Sequence, residues 1–208
     1  MHVAAPEISV GFYEPRGRQH VCFHVDLGLK PWVVDLQFHH QVGRRGVPRG
    51  LVLSNLDIPR LRRRAVANWI LHVAEKCPKH IPYGVTLPRE ECFGDDGQWL
   101  LGRHGPGLTC ATFVVAVLRR AGLAFIDLAT WTSRPDDREW ALQIAQELRE
   151  CGEHEQADFI QQKEAPACVR VRPMEVAGAA RVPFAGWPVS QAQAESRGIE
   201  VLKALSIP

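Results

Sequence analysis

From Ala111 to Leu118 the chain reads Ala-Thr-Phe-Val-Val-Ala-Val-Leu, a run without a single charge. Whatever it forms must be covered on every side, so this run sets the centre of the fold. The β-branched residues of Thr112-Phe113-Val114-Val115 are compatible with a buried strand. Length favours a helix over 109–121, as do the basic pair Arg119-Arg120 in its last turn and Gly122 as the residue that ends it. A polar, glycine-bearing loop, Gly107-Leu108-Thr109, precedes the run, so Cys110 falls at the first helical turn. Unpaired backbone N–H groups and the positive end of the helix dipole favour thiolate over thiol there, and thiolate is the nucleophile.

A central helix needs a covering layer, and the N-terminal part of the chain supplies strands. His20 to Val25 alternates weakly, and Trp32 to Phe38 is rich in β-branched and aromatic residues. The short turn-rich link between them, near 27–30, predicts an antiparallel hairpin. Leu51-Val52-Leu53 reads as a third short strand, reached through a basic loop with Arg44, Arg45 and Arg49. A helix follows, capped by Asp57, with Pro59 in its first turn and Leu61, Ala65, Trp69 and Val73 at four-residue spacing, ending near Lys76. Residues 77–109 are rich in proline and glycine and read as a long irregular segment, a type that is often functional. Further helices are expected over Pro135 to Cys151, with Trp140, Ile144 and Leu148 on one face, and near 191–205; Cys168 to Val171 reads as a short strand. The expected class is α+β: a small antiparallel sheet packed on the Cys110 helix, with extra helices toward the C-terminus.

The chain's 208 residues fit one domain, and 46% hydrophobic with 23% charged residues is ordinary for a globular protein. A net charge of +2 gives no support to nucleic-acid binding. The arginines at 60 and 62–64, with those at 44, 45 and 49, read as a solvated face; no aromatic residues interleave them as a nucleic-acid surface requires. Six cysteines occur without a C-x-x-C pair, which argues against a zinc ribbon or a disulfide framework. No apolar stretch approaches the roughly 20 residues needed to span a bilayer. The first seven residues, Met1 to Glu7, lack the basic and apolar pattern of a secretory signal, so a cytoplasmic location is expected.

A cysteine nucleophile needs a base within hydrogen-bond reach and a third group to orient that base. Two residues stand out. His20 opens the first strand, and Asp35 interrupts an otherwise apolar second strand, where a carboxylate is costly unless paired. They are fifteen residues apart and fall roughly opposite each other if the turn lies near 27–30. His24 shares the face of His20 and is the reserve base if the register slips by two. Other readings stay open. Cys110 could be a structural thiol, and Asp35 could pair with an arginine. His20, Cys22 and His24 alternate on one face and could hold a metal with His39 or His40.

The segment Gln19-His20-Val21-Cys22-Phe23-His24-Val25-Asp26, followed by Trp32-Val33-Val34-Asp35-Leu36, resembles the opening of the circularly permuted NlpC-type hydrolases. Those are papain-like proteins whose branch includes the lecithin:retinol acyltransferase-like enzymes. Tyr83-Gly84 and the helix opening Cys110-Ala111-Thr112-Phe113-Val114 resemble the same family, so the likeness spans roughly residues 19–122. The segment before Cys110 is longer and richer in glycine and charge than the family pattern, and Asp35 stands where several relatives have histidine. The resemblance implies a cysteine hydrolase or acyltransferase acting on an amide, ester or thioester of a peptide or lipid-type acyl substrate, without a cofactor. Cys110 would be the nucleophile, His20 the base and Asp35 its orienting group, with the Cys110 N–H in the oxyanion hole and Tyr83 as a second donor or substrate wall. The competing classes are a non-catalytic binding domain that kept the fold and a metal-binding protein built on the first strand.

Overall fold

A computed structural model describes residues 7–28 and 30–205. Residues 1–6, and Leu29 in the expected hairpin turn, lie outside that range. Five strands, β1 (Glu7–Tyr13), β2 (His20–Asp26), β3 (Trp32–Leu36), β4 (Val42–Arg45) and β5 (Val52–Asn55), make one sheet in the order β4-β3-β2-β1-β5. Every neighbouring pair is antiparallel. The described residues also form six α-helices: α1 (Arg60–Lys76), α2 (Cys110–Arg120), α3 (Asp137–Glu150), α4 (His154–Phe159), α5 (Pro173–Ala179) and α6 (Gln191–Leu205). The protein is therefore α+β, with a small antiparallel sheet and a helical C-terminal part. None of the described helices is long and apolar enough to cross a membrane.

Alternation along the strands sends Ile8, Val10 and Phe12 of β1, Val21, Phe23 and Val25 of β2, and Val34 and Leu36 of β3 into one core. This face covers α2, whose residues Cys110 to Leu118 are all buried. Phe113 of α2 meets Phe23 of β2 edge to face, with ring centroids 6.3 Å apart. Each such fully buried side chain contributes about 1.5–3 kcal/mol, which is why the uncharged run becomes the central helix. The helix is closed by Arg119 and Arg120, whose guanidinium groups reach loop carbonyls of Pro88, Glu90 and Phe93. α1 lays Val66, Ala67, Ile70 and Val73 into the same core, and α5 packs on β1 and β2 beneath α6.

A second, smaller core lies between α3, α4 and the turns over 160–167. Ala141, Ile144, Ala145, Leu148, Ala157 and Ile160 pack there around Val85 of the long loop. Several local expectations need correction. Cys168–Val171 is extended but pairs with no strand; the backbone N–H of Arg170 bonds instead to the Asp137 carboxylate at 3.3 Å. α1 starts at Arg60 behind Pro59, and Asp57 accepts from the Phe184 N–H instead of capping it. α3 begins at Asp137, and the third expected strand is β5, Val52–Asn55. Residues 77–109 contain no helix, and their one β-bridge joins Phe93 to Trp99.

Candidate active site

The site assembles where α2 begins and β2 begins. Thr109 caps α2: its hydroxyl accepts from the Thr112 N–H at 3.1 Å, and the Thr112 hydroxyl accepts from the Thr109 N–H at 2.7 Å. This reciprocal cap fixes the first turn and leaves Cys110 at its first position, 5% exposed. The loop before it is held just as firmly. Leu108 N–H donates to the Pro82 carbonyl at 3.0 Å, and Gly84 N–H donates to Leu108 at 3.3 Å. A Cβ on Gly107 would stand 2.4 Å from the Pro82 carbonyl oxygen, and one on Gly84 would stand 2.6 Å from the Gly107 backbone. Only glycine lets these two segments touch, and the contact sets Tyr83 beside Cys110.

Register brings His20 to Asp35. Phe23 pairs with Val34 and His24 with Val33, so Asp35 stands level with Cys22, one same-face step from His20. The two expected residues are thus diagonal neighbours, not opposite ones. Their side chains still meet: His20 Nε2 lies 2.8 Å from Asp35 Oδ2, with Asp35 fully buried. Nε2 being engaged, Nδ1 is the nitrogen left to face Cys110, and the two groups act on each other's charge. The Val21 backbone also favours the charged form of Cys110.

Electrostatics follow from these contacts. Burial opposes charge on His20, but the Cys110 charge and the hydrogen bonds to Asp35 and Cys110 outweigh it and raise the imidazolium to about 10. Burial likewise opposes a thiolate at Cys110; the His20 charge, its hydrogen bond and the Val21 backbone overcome this and lower the thiol below its ordinary value. Asp35 is held below the usual carboxylate range despite burial, by hydrogen bonds from His20 and Arg45 and by their charges. All three shifts run in the direction that favours a thiolate–imidazolium pair backed by a carboxylate.

Two members of this network escaped sequence reasoning. Arg45 of β4 places Nη2 at 2.6 Å from Asp35 Oδ2 and Nε at 3.4 Å from Oδ1. Tyr13 of β1 donates its hydroxyl to Asp35 at 3.3 Å, accepts from Arg45, and sets its ring edge-on to His20 at 5.1 Å. Asp35 therefore serves both His20 and Arg45, two readings that looked mutually exclusive. The other expected residues lie elsewhere. His24 is two same-face positions farther along β2, about 13 Å away at strand rise, and faces Ser9 of β1 and Val33 of β3. Cys22 packs with Tyr13, Val33 and Leu51, its thiol donating to the Gly11 carbonyl at 3.6 Å. His39 accepts the Tyr83 N–H on Nδ1 at 3.1 Å, and His40 stacks against it. Among the described residues no group of three histidine, cysteine or carboxylate side chains is arranged to hold a metal.

Two clefts open on either side of Cys110. The larger, about 760 Å³, is lined by His20, Gln37, Phe38 and Arg45. The smaller, about 300 Å³, is lined by Thr109, Trp140, Arg170 and Val171. Both share Gln19, Tyr83 and Cys110, and both are edged by Arg18 and Glu147, which form a two-bond ion pair at 2.8 and 2.9 Å. Trp140, expected in the helical core, instead lies half-buried at the cleft wall. Gln19, which adjoins His20 in the chain, lines both clefts. No protein-family model matches this chain, nor does any curated protein or solved structure.

Proposed function

We propose that the protein is a cysteine-dependent hydrolase or acyltransferase with a papain-like, permuted NlpC-type arrangement. The observation that carries this reading is the chain Cys110–His20–Asp35, in which the thiol is lowered and the imidazole raised. A buried cysteine with no task is pushed the other way, as Cys22, Cys77, Cys92 and Cys168 are.

In this mechanism the Cys110 thiolate attacks the carbonyl carbon of an amide, ester or thioester. The C–S bond forms as the carbonyl electron pair moves to oxygen, giving a tetrahedral oxyanion. The Cys110 backbone N–H at the start of α2 would donate to that oxygen, with Gln19 and Tyr83, which line the same clefts, as further donors or walls. The oxyanion collapses, the bond to the leaving nitrogen, oxygen or sulfur breaks, and the His20 imidazolium gives that atom its proton. His20 lines only the larger cleft of the two, so the leaving group lies there and the acyl part in the smaller one. Neutral His20 then activates water for hydrolysis, or an alcohol or amine for acyl transfer. Asp35, pinned by Arg45 and Tyr13, keeps the imidazole in the tautomer that places Nδ1 toward sulfur.

The test is trapping with p-nitrophenyl acetate. Stoichiometric release of nitrophenol with one acetyl group on the Cys110 peptide is expected, and it is absent in Cys110→Ala. Acetylation spread over surface lysines with Cys110 unmodified overturns the reading.

A further inference from the structure

The smaller cleft is lined by a guanidinium that forms no ion pair among the described residues. Three charged side chains line it: Arg18, Glu147 and Arg170. Arg18 and Glu147 neutralise each other through their paired hydrogen bonds. Arg170 has no carboxylate at ion-pair distance among the described residues. Its guanidinium lies over the Trp140 ring, 4.0 Å from the centroid, and its Nε is buried without a hydrogen-bond partner. Of the nearby carboxylates, Asp136 pairs with Arg172 at 2.8 Å, and the fully buried Asp137 accepts the backbone N–H groups of Arg134 and Arg170 on Oδ2 and lies 3.9 Å from Arg172 through Oδ1, near Arg170 but in no ion pair with it.

The backbone under Arg170 is fixed as well. Its N–H is held by Asp137 at 3.3 Å, and its carbonyl accepts from Arg134 Nη1 at 3.2 Å. A rigid segment, an aromatic platform and a half-buried guanidinium outside any ion pair are costly for folding, and a merely space-filling side chain would not need them. A guanidinium lying over an indole without an ion-pair partner keeps N–H donors for a ligand, and its planar fork of donors matches a carboxylate.

We infer that Arg170, on its Trp140 platform, binds a carboxylate carried by the acyl part of the substrate, making acyl groups with a nearby negative charge the preferred class. The inference rests on the reading of Cys110 as the acyl acceptor, because that reading puts the acyl part in this cleft. Acidic peptide-like acyl groups fit it, and long neutral chains do not. Arg170 is in this sense a specificity-determining residue that takes no part in proton transfer.

The test compares two alkylating reagents that differ only in charge, iodoacetyl-glycine and iodoacetyl-glycinamide. In each, the Cys110 thiolate forms a C–S bond at the methylene and iodide leaves. The acid is expected to label Cys110 about tenfold faster than the amide, the scale of one charge-assisted hydrogen bond. Arg170→Gln abolishes the preference, and Arg170→Lys retains part of it. Equal rates in the unaltered protein, or a preference that survives Arg170→Gln, overturns the inference. A second measurement is independent of reactivity. In Cys110→Ala protein, N-acetylglycine is expected to shift the Trp140 indole N–H resonance saturably, and N-acetylglycinamide is not; identical responses to both overturn the proposal. If Cys110 reacts with neither reagent, the nucleophile reading fails, and the resonance titration still decides whether the carboxylate site exists.

Discussion

Cys22 and Cys110 are both buried thiols, both close to Asp35, and they differ in what faces their sulfur. Cys22 points from the middle of β2 at the Gly11 carbonyl, with the Asp35 carboxylate nearby; burial and that negative charge drive its thiol up. Cys110 starts a helix and faces the Val21 backbone and the His20 ring, which favour its charged form, so its thiol goes down although it too is buried. Burial therefore does not decide reactivity here. What decides it is whether donors and a cation, or acceptors and an anion, surround the sulfur.

The comparison breaks most sharply by deletion. Cys110→Ala is expected to remove acyl trapping altogether, while Cys22→Ala keeps it and lowers stability by about 1 kcal/mol, the cost of a small cavity. Thermal melts and nitrophenol release check both. Next in size is His20→Ala. Without the imidazolium, Cys110 reverts toward an ordinary thiol of pKa about 8.5, which is only about 0.3% thiolate at pH 6. Alkylation of Cys110 at pH 6 then slows by roughly 100-fold or more. Loss of less than threefold would mean that the helix terminus, not His20, sets the thiol.

Asp35→Asn acts on both the site and the fold. It leaves Arg45 without its buried partner and costs about 3 kcal/mol, and it slows Cys110 labelling less than His20→Ala does. Retained stability with unchanged labelling would detach Asp35 from the site. The smallest expected effect concerns a second buried carboxylate, Glu164, which accepts the Val85 N–H at 2.8 Å. Burial outweighs this backbone donation and pushes Glu164 from 4.5 up to about 7. The fold thus keeps a proton that the unfolded chain has already lost, so its stability declines as pH rises between those values. Glu164→Gln is expected to flatten that decline in melts taken from pH 5 to 8. Asp35, lowered instead of raised, gives the opposite slope: its contribution is lost as pH falls through the acid range.

The legible parts of this molecule were those written in contiguous residues. An uncharged run ending in Arg119-Arg120 and Gly122 gives α2, and two short β-rich segments around a turn give the β2–β3 hairpin. His20 and Asp35 stood out because each was an odd residue in its segment. Tyr13 and Arg45 did not, because their roles depend on strand order. β1 precedes the hairpin in sequence but is inserted between β2 and β5, and only that places Tyr13 over His20. β4, Val-Gly-Arg-Arg, has no strand signature of its own; pairing with β3 makes it one and aims Arg45 at Asp35. Cys168–Val171 carries strand-like residues, but Arg134 and Asp137 hold the backbone of Arg170 away from any strand. Trp140 repeats at core spacing on α3 and packs against the edge of the second core, half-buried where the cleft begins.

The central claim is that Cys110 is held as a thiolate by His20. Its most direct measurement is the rate of iodoacetamide alkylation at each cysteine from pH 5 to 9, read by peptide mass. The account predicts that Cys110 is labelled well ahead of the other five at pH 6, with a rate nearly flat from pH 6 to 8. Uniform slow labelling at pH 6, with a Cys110 rate that climbs about tenfold per pH unit as an ordinary thiol's does, would contradict it.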